Sequence, residues 1–196
     1  MKILGIVCSP RKGGNTEIMV GEALVAARET ASARGAEADT ELVLVADKHI
    51  APCDGCGSCR KTGSCWIRDD MPPLYEQMEA ADGIIFGTPV YFGDVSAQAK
   101  SIMDRTYVFR FGRRLTGKVA GPIVVTRRVG AASTRNILYS FFIAQGMIAV
   151  RAGIGYGQAK GDVRQGVGGA DGATALGEAV DVGKDVVNMV LQLSKP

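Results

Sequence analysis

Short apolar runs alternate with longer amphipathic segments along this chain, and this alternation limits the fold to a sheet covered by helices. β-Branched residues in the short runs favour strands, and apolar residues at helical spacing favour helices between them. The predicted strands are 2–7, 41–45, 83–87, 118–126 and 147–152, and the predicted helices are 15–34, 72–80, 95–107, 133–146 and about 174–194. Consecutive apolar positions in runs such as GIIFG are typical of parallel strands with both faces buried. The chain therefore predicts a doubly wound parallel α/β sheet of five strands, in the order 2-1-3-4-5, between two helical layers.

Length and composition favour one domain over residues 1–196, with a cysteine-rich loop at 52–70 after the second strand. The chain has 196 residues, of which 46% are hydrophobic and 22% charged, enough to bury a core. A net charge of +3 is too small to indicate nucleic acid. The longest apolar runs are too short for a membrane span or a secretion signal, so we expect a cytoplasmic protein.

The turn after the first strand, VCSPRKGGNT, predicts an anion site. Ser9, Asn15 and Thr16 offer hydroxyl and amide donors, and Gly14 lets backbone amides approach a ligand at the positive end of the next helix. Arg11 adds a charged fork that suits phosphate, although it also fits a solvated turn. The turn contains neither the P-loop pattern nor the dinucleotide fingerprint, which leaves a mononucleotide.

Two further turns should face this anion site, because the carboxyl ends of strands 1, 3 and 4 meet at one edge of the sheet. After strand 3, Pro89 stiffens the turn, Tyr91 and Phe92 supply flat surfaces, and Gly93 allows close backbone approach. These residues suit a planar heterocycle, with plain core packing as the alternative. The turn at 127–132, with Arg127 and Gly130, is the third predicted wall.

A cysteine run, CDGCGSCRKTGSC, gives the spacing C-x2-C-x2-C-x5-C at Cys53, Cys56, Cys59 and Cys65. Glycines at 55, 57 and 63 permit the positive φ angles of a tight wrap, so four thiolates can meet at one soft metal centre. A cubane iron-sulfur cluster fits this spacing. A structural zinc and an empty covering loop remain alternatives, whereas disulfides are disfavoured in a cytosolic chain.

Three motifs together resemble the flavodoxin-like NAD(P)H-dependent FMN reductases, and within them the iron-sulfur flavoproteins. They are SPRKGGNT at 9–16, the cysteine run followed by Asp69-Asp70-Met71, and TPVYFGDVSAQAKSIMDR at 88–105. The resemblance implies FMN, a [4Fe-4S] cluster on the four cysteines, and a homodimer or homotetramer. The residues that match the family's phosphate loop are Ser9, Arg11, Gly14, Asn15 and Thr16, and those that match its isoalloxazine loop are Pro89, Val90, Tyr91, Phe92 and Gly93.

Three functions are consistent with these motifs. The first is an iron-sulfur flavoprotein that passes electrons between NAD(P)H or reduced ferredoxin and a small-molecule acceptor or carrier protein. The second is a cluster-free NAD(P)H-dependent FMN or quinone oxidoreductase. The third is a flavodoxin-like carrier or zinc-stapled binding module without enzymatic activity. No catalytic side chain is predicted, because the cofactors carry the chemistry.

Two longer segments are also unusual in composition. The segment 105–135 contains eight basic residues and no acidic one, which predicts either a field that attracts an anionic partner or a solvated rim. The glycine-rich segment 153–177 predicts a long, mobile loop near the pocket.

Four single residues receive modest interpretations. Cys8 is expected to be a small buried residue at a strand end rather than a metal ligand. His49, the only histidine, is given no role. Asp69 and Asp70 precede a helix start and are interpreted as capping residues.

Overall fold

The structure is a computed structural model that describes residues 1–170 and 172–194. Its strands are β1 (Lys2–Val7), β2 (Asp39–Leu44), β3 (Gly83–Pro89), β4 (Val119–Thr126), β5 (Ile148–Ala149) and β6 (Gly153–Tyr156). Its helices are α1 (Asn15–Ala33), α2 (Ser58–Thr62), α3 (Met71–Ala80), α4 (Ala97–Arg105), α5 (Tyr107–Arg110), α6 (Ala131–Ala144) and α7 (Ala175–Leu193). Across these described ranges, no helix is long and apolar enough to cross a membrane.

All strand pairs are parallel, and the sheet order is β2-β1-β3-β4-β5, as predicted. The predicted fifth strand differs, because its place along β4 is shared by β5 and β6. Between them, residues 150–152 stand opposite only Gly121 and Pro122 of β4. Pro122 has no N–H to donate, so the extra residue is accommodated as a bulge at this point.

Helices cover both faces of the sheet, and each face has its own apolar core. One core joins α1 and α7 to the sheet and includes Val20, Leu24 and Val186. The other lies beneath α3, α4 and α6 and includes Phe86 and Phe142. This confirms the doubly wound flavodoxin-like arrangement and leaves the carboxyl ends of the central strands open at one edge.

The glycine-rich segment 153–177 was predicted to be a loop, and this prediction is wrong for its first residues, which form β6. Gly155 within β6 forms an antiparallel bridge with Gly168, and Val167 forms another with Thr174, so much of the segment folds back on itself. Asp171, within the predicted loop, lies outside the described residues. The strand was not predicted from the sequence, because the glycines of this segment interrupt the β-branched pattern that is typical of strands.

Gly183 allows α7 to lie directly on α1. A Cβ at this position would fall well inside the contact distance of the Ala23 carbonyl oxygen in α1. Gly21, also in α1, faces open space and provides a matched control.

Replacement of Gly183 by alanine is expected to lower the free energy of unfolding by about 1–3 kcal/mol, the usual cost of overpacking. The gain in helix propensity, about 1 kcal/mol, opposes but does not offset that cost. Gly21→Ala should be neutral or stabilising by up to about 1 kcal/mol. Urea denaturation measures both variants, and equal changes in stability would contradict the close helix contact.

Candidate functional site

A cavity of about 210 Å³ lies at the carboxyl ends of β1, β3 and β4, and is called the loop pocket here. The structure brings most of the predicted binding residues to its wall. They are Ser9, Arg11, Gly14, Asn15, Thr16, Pro89, Val90, Tyr91 and Arg127. Sequence reasoning missed the remaining lining residues, which are Val125, Thr126, Gly157, Gln158 and Lys160.

Residues 9–16, the glycine loop, connect β1 to α1 and form the floor of the loop pocket. Ser9 Oγ accepts a hydrogen bond from the Arg11 amide at 3.1 Å, which turns the chain back across the strand end. Gly13 has φ of 61°, a conformation that favours glycine. Gly14 caps α1 in an extended conformation without a side-chain hydrogen bond. The first-turn amides of α1 have no acceptor within the helix, so this end can hold an anion.

Asn15 lines the loop pocket, and its side chain also ties down the segment after β6. Its Nδ2 donates to the Ala159 carbonyl at 2.8 Å, and its Oδ1 accepts from the Gly161 amide at 2.7 Å. This tether brings residues 157–160 over the glycine loop as a fourth wall.

Lys160 is the functional candidate that sequence reasoning missed. Its ammonium and Cε would lie 2.6 and 2.8 Å from a Cβ built on Gly13, so its side chain crosses the glycine loop. With Arg11 and Arg127, it gives the loop pocket three cationic side chains. Lys160 lies 144 residues beyond Thr16 in the chain, so no local sequence pattern indicated that it would reach the loop pocket.

The turn after β3 forms the opposite wall. Tyr91 and Asp94 exchange backbone hydrogen bonds of 3.0 and 3.1 Å across the turn. Phe92, at its tip, is fully exposed and has φ of 51°, which is uncommon for a bulky residue. Phe92 and Gly93 do not line the loop pocket, so the pocket-facing part of this turn is Pro89–Tyr91.

Gly130 supports this turn instead of lining the loop pocket. A Cβ on Gly130 would lie 2.8 Å from Val90 and 2.9 Å from Gly93. Ser133 Oγ also donates to the Gly93 carbonyl at 2.6 Å, which joins α6 to the same turn. The turns after β3 and β4 are therefore packed together as predicted, with Arg127 as the pocket-lining residue of the second.

The basic residues of segment 105–135 do not form one continuous rim. Arg114 pairs with Glu79 at 3.0 Å, and Lys118 donates to two main-chain carbonyls at 2.6 and 2.7 Å. Burial lowers the pKa of Lys118. Arg105 is buried at 2% exposure. The cationic side chains that line the loop pocket are Arg127 of this segment and, from elsewhere in the chain, Arg11 and Lys160.

The four clustered cysteines line a second cavity, of about 690 Å³, which is called the cysteine cavity here. It lies between the cysteine loop (residues 52–70) and helices α4, α5 and α6, and it shares no lining residue with the loop pocket. As predicted, Gly55, Gly57 and Gly63 have φ of 71°, 72° and 70°, which lets the loop wrap around the cavity.

The thiols of the cysteine cavity are close enough to influence one another. Burial, and then the nearby thiols of Cys65, Cys53 and Cys56, raise the pKa of Cys59. Within residues 1–170 and 172–194, no group of three or more histidine, cysteine, aspartate or glutamate side chains is placed to hold a metal ion. The donor set of four thiols at one cavity nevertheless fits a soft metal or an iron-sulfur cluster.

Both ends of the cysteine loop are held by a buried ion pair that the capping interpretation missed. Arg105 Nη1 lies 2.6 Å from Asp69 Oδ2, with both side chains almost fully buried. Asp69 also accepts from the amides of Ala51 at 2.9 Å and Met71 at 3.1 Å. Although burial opposes ionisation, these hydrogen bonds hold the pKa of the Asp69 carboxyl below its ordinary value. Asp69 therefore caps α3 while closing the loop at its base.

Cys8 fits its interpretation, whereas Asp70 occupies the N-cap position of α3 without a capping hydrogen bond from its side chain. Cys8 is fully buried at the end of β1, and burial raises the pKa of its thiol well above the ordinary value. His49 is exposed, and its backbone pairs with Asp70: the His49 amide donates to the Asp70 carboxylate at 2.7 Å, and the Asp70 amide donates to the His49 carbonyl at 3.0 Å.

Comparison with known proteins decides the family, because the model of the NADPH-dependent FMN reductases matches residues 1–160. The chain belongs to that family. It is 42% identical to an iron-sulfur flavoprotein of Methanocaldococcus jannaschii over 190 residues, which cover 92% of this chain and 95% of the relative. It is also 42% identical to an iron-sulfur flavoprotein of Methanosarcina thermophila over 153 residues, 76% of this chain and 77% of that one.

Solved structures agree with the fold of the family. The flavodoxin-like, WrbA-like protein of Agrobacterium tumefaciens superposes with a TM-score of 0.63 at 19% identity, covering 97% of each chain. The resemblance stated from the three motifs is confirmed. The chain is an FMN-dependent oxidoreductase of the flavodoxin-like fold.

Proposed function

We propose that this oxidoreductase couples FMN in the loop pocket to a [4Fe-4S] cluster in the cysteine cavity. The observation that carries the proposal is that all four clustered cysteines line one cavity on a loop whose base is anchored in the core. The iron-sulfur flavoprotein names of the relatives support it. When bound, the flavin supplies transfer of electrons in pairs or singly, and the cluster supplies transfer of single electrons.

The loop pocket offers the features that FMN requires. The first-turn amides of α1 and the side chains of Ser9, Arg11 and Lys160 would hold the phosphate. Pro89, Val90 and Tyr91 would lie against the ring system, with Arg127 beside it. Asn15 acts indirectly by keeping the 157–160 segment in place. No side chain is required to donate or accept a proton, in agreement with the absence of histidine from this wall.

An exposed apolar rim around the loop pocket supports a homodimer or homotetramer. Phe92 is fully exposed, Val129 is 81% exposed, and Tyr91 is 38% exposed, on adjoining turns. A neighbouring subunit would cover this rim and complete the ring site. The cytoplasm is proposed as the compartment, because a reducing environment keeps clustered thiols available to a metal.

A second candidate function is a cluster-free NAD(P)H-dependent FMN or quinone oxidoreductase. It is favoured by one observation: among the described residues, the four thiols are not arranged as a group that could hold a metal ion. In that case the cysteine loop would be a covering element or hold zinc, and the electrons would enter directly from the nicotinamide. A carrier without enzymatic activity would show no turnover with NAD(P)H or with reduced ferredoxin.

Anaerobic purification tests the proposal. We expect about four iron and four sulfide per chain, as a [4Fe-4S] cluster requires, with one FMN. Stopped-flow mixing with reduced ferredoxin, NADH and NADPH then identifies the electron donor. Iron-free protein that bleaches rapidly with NADH or NADPH would support the cluster-free oxidoreductase instead. Zinc without sulfide would indicate a structural metal.

A further inference from the structure

Arg105 contacts both ends of the cysteine loop, and among the described residues one of its three side-chain nitrogen atoms has no hydrogen-bond partner. Its Nη1 donates to the Ala51 carbonyl at 2.9 Å and to Asp69 Oδ2 at 2.6 Å, and its Nη2 donates to Asp69 Oδ1 at 3.1 Å. The Arg105 Nε is buried and, within the part of the chain that the structure describes, has no hydrogen-bond partner. Orphaned buried donors are rare in folded proteins and call for an explanation.

Arg105 lies beside the clustered thiols. Arg105 lines the cysteine cavity together with the four cysteines. The guanidinium is held by its two bonds to Asp69, and the main chain is held by the Tyr75 hydroxyl, which donates to the Arg105 backbone carbonyl at 2.9 Å. A fixed guanidinium beside thiolates supplies both positive charge and an N–H that sulfur can accept.

We propose that Arg105 is the positioning residue of the four-cysteine centre, holding both ends of the cysteine loop and reserving its Nε–H for a sulfur of that centre. The inference rests on the proposed function, since it needs a cluster in the cavity. Hydrogen bonds to sulfur and nearby charge are the main means by which a protein sets the potential of such a centre. Arg105 should therefore stabilise the reduced, more negative form of the cluster.

Arg114 provides a matched control. It is also an arginine that contacts the cysteine loop, since its Nη2 donates to the Gly63 carbonyl at 2.9 Å. Its side chain is 31% exposed and paired with Glu79, and it does not line the cysteine cavity. Arg114 thus shares the loop contact of Arg105 without the contact with the cavity.

The experiment compares Arg105→Met, Arg105→Lys and Arg114→Met with the wild-type protein, all purified anaerobically. Iron per FMN, FMN affinity and the cluster midpoint potential from a spectroscopic redox titration are the readouts. We expect a shift to more negative potential in Arg105→Met, a smaller negative shift in Arg105→Lys, which keeps the charge but loses the fork, and the wild-type potential in Arg114→Met. FMN affinity should be unchanged in all three, because the two cavities share no lining residue.

If Arg105→Met holds no iron, the lysine variant provides the potential measurement. Loss of iron from both Arg105 variants, with FMN bound and Arg114→Met loaded, supports the anchoring role. Wild-type potential in a loaded Arg105→Met variant, or equal shifts at Arg105 and Arg114, would overturn the inference alone. A wild-type protein without iron would overturn the cluster proposal, and this inference with it.

Discussion

Gly14→Asp is expected to weaken FMN binding by about 10³-fold while leaving the fold intact. Gly14 lies at the wall of the loop pocket and caps α1 in an extended conformation that aspartate adopts readily. The new carboxylate would stand where the phosphate binds. Two like charges near 4 Å apart repel by about 4 kcal/mol at the effective dielectric of a protein surface, which corresponds to roughly this loss of affinity.

Gly14→Asn is the matched control, because asparagine has nearly the same shape and is an equally good cap without the charge. In either variant the Cβ would lie 3.2 Å from the Arg11 carbonyl oxygen, a tight contact that costs both variants alike. Quenching of flavin fluorescence gives the affinities, and thermal unfolding checks the fold. Riboflavin, which lacks the phosphate, should bind the two variants equally. Equal FMN affinities for aspartate and asparagine would show that the phosphate lies elsewhere.

Cys59→Ser is expected to remove the cluster almost completely, with at least a tenfold loss of iron and sulfide per FMN. Cys59 is the third of the four clustered cysteines, and burial, followed by the nearby thiols of the other three, raises its pKa. A hydroxyl is a poor ligand for a soft metal, so serine leaves the site one thiolate short. FMN content should remain at the wild-type level.

Cys8→Ala provides the control for this loss, because Cys8 is the one cysteine outside the run and is fully buried at the end of β1. Iron and sulfide analysis with the visible absorption spectrum compares the two variants under anaerobic conditions. Full iron content in Cys59→Ser would remove Cys59 from the ligand set. Equal iron loss in Cys8→Ala would instead indicate a general effect of thiol removal on folding.

Local patterns were sufficient to predict the sheet, its order and most of the loop pocket. Runs such as residues 83–87 are apolar throughout, and a sheet covered on both faces buries such runs. Once the order was known, the topology brought Ser9, Tyr91 and Arg127 to one edge without any knowledge of side-chain contacts. The predicted left-handed glycines of the cysteine loop followed from spacing alone.

Features that depend on distant residues could not be predicted in this way. Asn15 was predicted as a donor to a ligand, and its amide also bonds to Ala159 and Gly161, which lie 144 and 146 residues further along the chain. Asp69 and Arg105 are 36 residues apart, and Arg105 was counted with a basic segment because charge alone does not reveal burial. Lys160 sits in a glycine-rich stretch that has no periodicity. Each of these contacts is specified by the folded topology and not by the local sequence.

The closed base of the cysteine loop has a consequence for how such chains change over time. Two hydrogen bonds join His49 to Asp70, and both use the His49 backbone. The Ala51 amide also donates to the Asp69 carboxylate. Residues 52–68, between these pairs, form a loop whose two ends lie next to each other. Deletion or exchange of residues 52–68 would leave β2 and α3 where they are, so this loop can change in evolution without altering the strands that carry the loop pocket.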